Sequence, residues 1–169
     1  MRLKNIQTIV FALILGCTLG FDANASPIFA KYASHSSPTY YAGTFVFNPK
    51  THSFHAYDSN GHLVKSGIAS GGQNYCSDLH RGCHTPVGTF FVYSKGGAGC
   101  KSSKFPLGKG GAPMPYCMFF HGNYAIHGSY HVSGSKNLSH GCIRVTPNDA
   151  LWLTRNFMKI GTKVIVLPY

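Results

Sequence analysis

Short segments separated by turn residues make up the chain from Thr44 onward, and this pattern limits the fold it can adopt. The segments TFVF, HSFHAY and HLVKSGIAS alternate with the turns NPKT and DSNG. Within the second turn, Asn60-Gly61 is a dipeptide that favours a tight β-hairpin. Strands this short, joined by turns this closely spaced, predict a mainly β domain.

The second half of the chain adds more strands, two long loops and a single helix. Gly-rich loops are expected at 71–84 and 96–115. For the helix, Thr146 is the predicted cap, Pro147 takes the first helical position and Gly161 marks the end. The further strands are predicted at 85–95, 116–120, 124–128 and 163–169.

Residues 1–25 have the pattern of a signal peptide. Arg2 and Lys4 precede a largely apolar stretch, and the small residues Ala-Asn-Ala at 23–25 suit a cleavage site. The apolar run is too short for a stable membrane span. A lipoprotein cleavage site ending at Cys17 ranks second, because Leu15 fits that pattern poorly.

The remainder of the chain is long enough for one domain with a buried core. Residues 26–42 are rich in Ser, Pro and Tyr without periodicity, and we expect them to form an extended lead-in. Residues 43–169 then form the domain itself. We expect an exported monomer in the periplasm or the cell envelope.

The balance of charge is strongly basic. The formal charge is +11, and cleavage after Ala25 would remove two cations and one acid, which leaves +10. Such an excess favours an anionic partner through its long-range field. The basic residues are scattered rather than clustered, so we expect an anionic envelope polymer and not nucleic acid. A basic surface that serves only solubility remains an alternative.

The cysteines predict disulfides and one free thiol. Five cysteines follow residue 25, and an odd number in an oxidising compartment leaves one unpaired, for which Cys142 is the candidate. The other four allow three pairings, of which we favour Cys76–Cys83 and Cys100–Cys117 because each closes a Gly-rich or Pro-containing loop. The spacing around Cys76 and Cys83 fits no standard zinc site, so we expect no metal and no cofactor.

The stretch HGSYHVSGSKNLSHGC, residues 127–142, carries the chemistry. Cys142 follows a Ser-His-Gly turn, where Gly141 lets the backbone turn sharply and offer amides to a carbonyl. A nucleophilic thiol needs a base and nearby positive charge. His127 and His140 are the candidate bases, and Arg144 supplies the charge. His121 precedes this stretch and His131 lies within it; both are candidates to line a cleft, with a structural role as the alternative.

The segments YAIHGS and SHGCIRV are similar to the active-site signature of the L,D-transpeptidase catalytic domain, the YkuD family. The segments TPVGTFFV at 85–92, TPNDALWL at 146–153 and GTKVIV at 161–166 also resemble parts of that family. The resemblance implies an L,D-transpeptidase-like β-sandwich of mixed sheets, with one short helix and long Gly-rich loops.

The resemblance also implies a mechanism. Cys142 would attack a peptide carbonyl to form a thioester, and His127 would take the thiol proton, its ring oriented by the carbonyl of Gly128. We expect the resulting thiolate–imidazolium pair to lower the pKa of the thiol.

Four further residues are expected to support this reaction. The amides of Gly141 and Cys142 would stabilise the oxyanion, and His140 would shape the pocket around it. Arg144 would hold the loop or face a substrate carboxylate. The hydroxyl of Ser139 is as readily explained by a local turn as by a catalytic contact.

By its resemblance to the family, the chain would act on a stem tetrapeptide of peptidoglycan, expel the terminal D-Ala and transfer the acyl group to an amine. Two alternatives stay open. Water could replace the amine, which would make the protein an L,D-carboxypeptidase. The chain could also be a non-catalytic basic protein that binds the cell wall or contacts a host.

Overall fold

The computed structural model describes residues 43–169, and these fold as a curled mixed β-sheet. The sheet has nine strands in the order β4-β9-β1-β2-β3-β8-β7-β6-β5. The pairs β1–β9 and β7–β8 are parallel, and the other neighbours are antiparallel. The strands are β1 Thr44–Asn48, β2 Ser53–Tyr57, β3 Leu63–Ser70, β4 Gly88–Phe91, β5 Ser94–Lys95, β6 Met118–His121, β7 Tyr124–Gly128, β8 Ile143–Val145 and β9 Lys163–Val166.

Strand β3 joins the two halves of the sheet. Most of its length pairs with β2, whereas its last two residues, Ala69 and Ser70, pair with Val145 and Arg144 of β8. The burial of β3 changes at the same point, from mostly exposed residues to two buried ones. One long strand therefore belongs to both halves.

The curl encloses a single main core. Phe90 of the edge strand β4 packs against Phe120 of β6, with ring centroids 5.5 Å apart, so two strands far apart in the sheet order lie close in space. In β1 the alternate residues Phe45 and Phe47 are fully buried, as the period of a half-buried strand requires. The prediction of a mainly β domain with mixed strand pairing and one short helix is confirmed.

The helix begins where the sequence predicts and ends earlier. Helix α1, Pro147–Trp152, is capped by Thr146, whose hydroxyl accepts a hydrogen bond from the amide of Asp149. A π-helical turn, Leu153–Phe157, follows directly. The predicted end at Gly161 is wrong, because Met158 already has an extended backbone.

A half-buried lysine, Lys95, explains where the helical backbone stops. Lys95 Nζ donates hydrogen bonds to the carbonyls of Thr154 and Met158, both at 2.6 Å. The amide of Met158 donates to the carbonyl of Leu153, five residues back, at 2.7 Å, as in a π-helix. Together with the Lys95 hydrogen bonds, this contact satisfies backbone groups that would pair with each other if the α-helix continued.

Two disulfides close the long loops. The bond Cys76–Cys83 has an S–S distance of 2.06 Å and Cys100–Cys117 one of 1.95 Å, which confirms both favoured pairings. Cys142 is the free cysteine of the described residues. The predicted signal peptide at 1–25, the lipidation alternative at Cys17 and the lead-in at 26–42 lie outside residues 43–169. Within that range we found no helix long and apolar enough to cross a bilayer.

Candidate active site

The parallel pair β7–β8 brings the sequence motif together. Its register places His127 opposite Arg144, with Gly128 opposite Val145. Cys142 immediately precedes β8, two residues before Arg144. Since side chains alternate along a strand, Cys142 and Arg144 share the face on which His127 lies. The sequence pattern predicts strand β7 but not β8, which is only three residues long and is held by pairings distant in sequence.

His127 is buried and neutral near neutral pH. Its side chain is 5% exposed, and Nδ1 lies 2.9 Å from the carbonyl oxygen of Gly128. A carbonyl can only accept, so Nδ1 carries the proton and Nε2 is left as the acceptor. Burial lowers the pKa of His127 to about 4, with Arg144 adding to the effect and the Gly128 hydrogen bond opposing it. The expected orientation of the ring by Gly128 is thus present in the geometry.

The thiol of Cys142 is also held in its neutral form. The residue as a whole is half-buried, but its sulfur lies against backbone, 3.9 Å from the carbonyl oxygen of Asn123. Burial raises the pKa of Cys142, opposed by a backbone hydrogen bond at Ala125 and by the charge of Arg144. The expectation of a lowered thiol pKa is therefore wrong, because desolvation outweighs the nearby positive charge.

Ser139 builds the turn before Cys142. Its hydroxyl accepts a hydrogen bond from the amide of Gly141 at 2.9 Å and donates one to the carbonyl of Cys142. The residue is 1% exposed. Because the Gly141 amide already has this partner, of the two amides expected at the oxyanion that of Cys142 is the better candidate.

The turn requires glycine at position 141. Its φ of +122° is strained for any residue with a side chain, and an added Cβ would lie 2.4 Å from a ring carbon of Tyr124. The backbone at Gly141 therefore packs directly against the Tyr124 ring, and this contact helps to set the position of Cys142.

Thr85 fixes the same turn from another element, and sequence analysis did not single it out. Its buried hydroxyl donates to the carbonyl of Gly141 at 2.8 Å and accepts from the amide of Gly72 at 3.1 Å. The only sequence signal was its place at the start of the segment TPVGTFFV.

His140 lies between the two disulfide-closed loops. Its Nε2 is 2.9 Å and 3.0 Å from the two carboxylate oxygens of Asp78, and its ring stacks on Phe105 with centroids 4.5 Å apart. Cys76, Asp78 and His140 bring potential metal ligands within 4.8 Å of one another, but the Cys76 sulfur is bonded to Cys83 and offers no thiolate.

Arg144 holds the loop that leads to the motif. Its guanidinium donates to the carbonyl of Leu138 at 3.2 Å and to that of His131 at 3.4 Å. His131 thus contributes through its backbone. Neither its side chain nor that of His121 lines the cavity next to Cys142, so of the two roles weighed for these histidines the structural one agrees with the structure.

A cavity of about 430 Å³ joins these residues. The loop closed by Cys76–Cys83 supplies one wall with Leu79 and Arg81, and the loop closed by Cys100–Cys117 supplies the other. Gly128 and Gly141 act through their backbones and do not line it. The predicted residues that do line it are His127, Ser139, His140, Cys142 and Arg144.

The family model of the L,D-transpeptidase catalytic domain, YkuD, matches residues 42–166. Among solved structures, the chain is similar to an L,D-transpeptidase from Xylanimonas cellulosilytica, with 27% identity and a TM-score of 0.63 over 76% of this chain and 62% of that one. No curated protein matches the sequence.

Two mycobacterial structures share the fold at lower identity. One is an L,D-transpeptidase from Mycobacterium smegmatis, with 21% identity and a TM-score of 0.62 over 75% of this chain and 59% of that one. The other is L,D-transpeptidase 3 from Mycobacterium tuberculosis, carrying a faropenem-derived adduct, with 24% identity and a TM-score of 0.61 over 75% and 60%. This chain thus spans about three fifths of the length of these relatives. With a family model matched along most of its length, the chain belongs to the L,D-transpeptidase catalytic domain family.

Proposed function

We propose that the protein is an exported L,D-transpeptidase that uses Cys142 as its nucleophile on stem peptides of peptidoglycan. The observation that carries the proposal is the meeting of Cys142, His127 and Arg144 in one cavity, on one face of the β7–β8 pair. Membership of the family supports the reaction class. The two disulfides support a compartment outside the cytoplasm.

In the first half-reaction Cys142 is acylated. The neutral Nε2 of His127 accepts the thiol proton as the sulfur attacks the carbonyl carbon of the third stem residue. The amide of Cys142 donates a hydrogen bond to the oxyanion that forms. His127 then gives its proton to the departing nitrogen, the C–N bond breaks, and D-Ala leaves behind a thioester.

In the second half-reaction an amine takes the place of D-Ala. Its nitrogen attacks the thioester carbon and passes a proton to His127, which returns it to the departing sulfur. The thiol is regenerated and a new amide is formed. With water as the acceptor the same steps give a shortened stem peptide, so the carboxypeptidase differs from the transpeptidase only at this stage.

The resting pair is best described as neutral thiol and neutral imidazole. Burial raises the pKa of Cys142 and lowers that of His127 to about 4. Both shifts disfavour a thiolate–imidazolium pair before substrate binds. Proton transfer then accompanies attack on the substrate, whose oxyanion receives the negative charge as it develops.

The test is a product analysis. The purified protein is incubated with muropeptides of defined sequence, and the products are identified by mass spectrometry, with Cys142→Ser as control. We expect release of D-Ala and a cross-linked or exchanged product that the variant does not make. A shortened stem as the sole product would favour the carboxypeptidase. Equal behaviour of both proteins would favour a non-catalytic wall-binding role and contradict the proposal.

A further inference from the structure

The lining of the cavity is cationic and has no carboxylate. Arg81 lies on one wall and Lys101 and Lys104 on the other, with Arg144 beside the nucleophile. None of the described acidic residues is among the lining residues. An anionic group that enters the cavity therefore meets positive charge on both sides of Cys142.

The cations of the two walls have no acidic partner among residues 43–169. Each aspartate in that range is already paired elsewhere, at distances between 2.8 and 3.4 Å: Asp149 with Lys65, Asp78 with His140, and Asp58 with His62. Asp78, the acid nearest the cavity, is turned to His140. The charges of Arg81, Lys101 and Lys104 are thus uncompensated and face solvent.

The backbone beneath these side chains is fixed. The carbonyl of Arg81 accepts a hydrogen bond from the amide of Cys76 at 2.9 Å, inside the loop that Cys76–Cys83 closes. Lys101 forms a β-bridge with Pro113 next to the second disulfide, and the Lys104 amide donates to the hydroxyl of Ser102 at 3.2 Å. A fixed backbone reduces the entropy lost when the side chains bind a ligand.

Arg144 differs from these three cations. Its guanidinium already donates to two backbone carbonyls, and the residue is half-buried. Its place is structural, whereas the exposed cations on the walls are free to receive substrate oxygens. An arginine matches a carboxylate with two parallel hydrogen bonds, and a lysine supplies a compact positive charge.

We propose that Arg81, Lys101 and Lys104 form a carboxylate-binding subsite, through which the protein selects stem peptides with free carboxylates over the same peptides with amidated ones. The inference rests on the proposed function for its substrate, since it adds a selection step to that site. Amidation removes the negative charge and replaces an acceptor oxygen with a donor, so the cations lose their partner and face an N–H group.

The test compares two synthetic stem tetrapeptides that differ only in their non-terminal carboxylates, free in one and converted to primary amides in the other. We expect kcat/KM for D-Ala release to be about tenfold higher for the free acid, as for hydrogen bonds to charged groups. The preference should shrink when the ionic strength rises from about 0.05 M to about 0.5 M, because exposed charges are screened. Equal turnover of both peptides would overturn the subsite.

Variants assign the preference to the walls. Arg81→Gln, Lys101→Gln and Lys104→Gln should each lower kcat/KM for the free acid by about two- to fivefold, as for exposed ion pairs, and leave the amide unchanged. Lys109→Gln is the matched control, since Lys109 belongs to the loop of Lys101 and Lys104 and does not line the cavity. The triple variant should bring the ratio of the two peptides close to one. An equal loss on both peptides would mean a structural role and overturn the assignment.

Binding separates this inference from the proposed function. Calorimetry with the Cys142→Ser variant measures the Kd of both peptides without turnover. Tighter binding of the free acid supports the subsite even if the unmodified protein releases no D-Ala, a result that would contradict the proposed function alone. Equal Kd values would overturn the subsite whatever the turnover.

Discussion

The β7–β8 pair and the two disulfide-closed loops contribute to one cavity in different ways. In β7 the residues from Ala125 to Gly128 are all buried, and the strand pairs with neighbours on both sides. The loops are mostly exposed and are held by their disulfides and a few backbone hydrogen bonds. The reactive groups lie in and next to the β7–β8 pair, and the exposed cations of the cavity lie on the loops.

Burial explains this division. At the β7–β8 pair burial shifts the pKa values of both reactive groups, raising that of Cys142 and lowering that of His127 to about 4. The cations Lys101 and Lys104 could not be buried in that way without a partner, since desolvating an unpaired charge is costly. They remain on exposed loops, where they can meet an anionic substrate without that penalty. Catalysis and recognition thus require opposite surroundings, and the fold supplies them from different elements.

Removing the nucleophile should have the largest effect. Cys142→Ser should lower the rate of acyl transfer by more than about a thousandfold, because no other described residue offers a thiol. Under non-reducing conditions the protein without residues 1–25 should titrate with a single thiol, and its Cys142→Ser variant with none. D-Ala release measured by mass spectrometry, with thermal unfolding to confirm the fold, checks both points. Three titratable thiols in the native protein would contradict the disulfide assignment.

Removing the base comes next. His127→Gln should lower kcat/KM by roughly a hundred- to ten-thousandfold, the usual cost of a positioned acid–base group. In the unmodified protein kcat/KM should fall as the pH drops through about 4, where His127 takes up a proton, and should hold above it. His140→Gln is the control, and its loss should be much smaller because its ring contacts Asp78 and Phe105. A larger loss in the control would exchange the roles of the two histidines.

The thiol itself reports the same environment. Because burial raises the pKa of Cys142, alkylation by iodoacetamide should have a pH midpoint above the value of about 8.5 for an unperturbed cysteine. A midpoint well below that value would mean a standing thiolate–imidazolium pair and would contradict the neutral pair proposed here.

The sequence predicted the sheet side of the site better than its walls. Cys142, His127 and Arg144 belong to a compact motif, and the hydrogen bond to Gly128 lies within one residue of His127. The wall residues meet the motif only through the fold: Asp78 lies 62 positions from its partner His140. No local pattern encodes such a contact.

The same distinction separates what was predicted of the fold from what was missed. Strands with local turns, such as β1 and β2, follow from alternation and turn residues. Strand β8 depends on pairings to β3 and β7, and the helix end depends on Lys95, which is 59 positions from Thr154. The raised thiol pKa was missed for a similar reason, because the burial that causes it is assembled from several elements.

The walls should depend on their disulfides for stability more than for chemistry. Replacing both Cys100 and Cys117 with Ala opens a loop of 17 residues and should cost about 3 kcal/mol, against about 2.4 kcal/mol for the 7-residue loop of Cys76 and Cys83. Urea unfolding checks the order of the two losses. In either variant KM should rise while the alkylation rate of Cys142 stays within about threefold. An unchanged KM in both would mean that the walls do not bind substrate.

Stability should also depend on pH through His127. The unfolded chain takes up a proton on this residue below its ordinary pKa of 6.5, whereas the folded protein resists until about 4. The folded state is therefore penalised as the pH falls between these values, by about 2 kcal/mol from pH 7 to pH 4.5. Urea unfolding at pH 7 and at pH 4.5 measures the loss of stability between these pH values, and His127→Gln should lose about 2 kcal/mol less than the unmodified protein.

An equal loss of stability in both proteins would show that His127 is not buried in its neutral form.

The smallest expected effect lies where the two regions meet, at Asp78 and His140. The carboxylate of Asp78 accepts a hydrogen bond from Nε2 of His140, and Phe105 of the opposite loop stacks on the same ring. The His140 side chain therefore contacts both walls next to Cys142. Both partners are partly exposed to solvent, which limits the strength of their contact.

Asp78→Asn keeps the shape and one acceptor oxygen but removes the charge. We expect kcat/KM to fall by about two- to fivefold, mainly through KM, because the wall rather than the nucleophile is loosened. The pH midpoint for alkylation of Cys142 should stay in place, since neither burial of the sulfur nor Arg144 is altered. A shifted midpoint would mean that Asp78 acts on the thiol through His140, and the separation between walls and sheet would then fail at this residue.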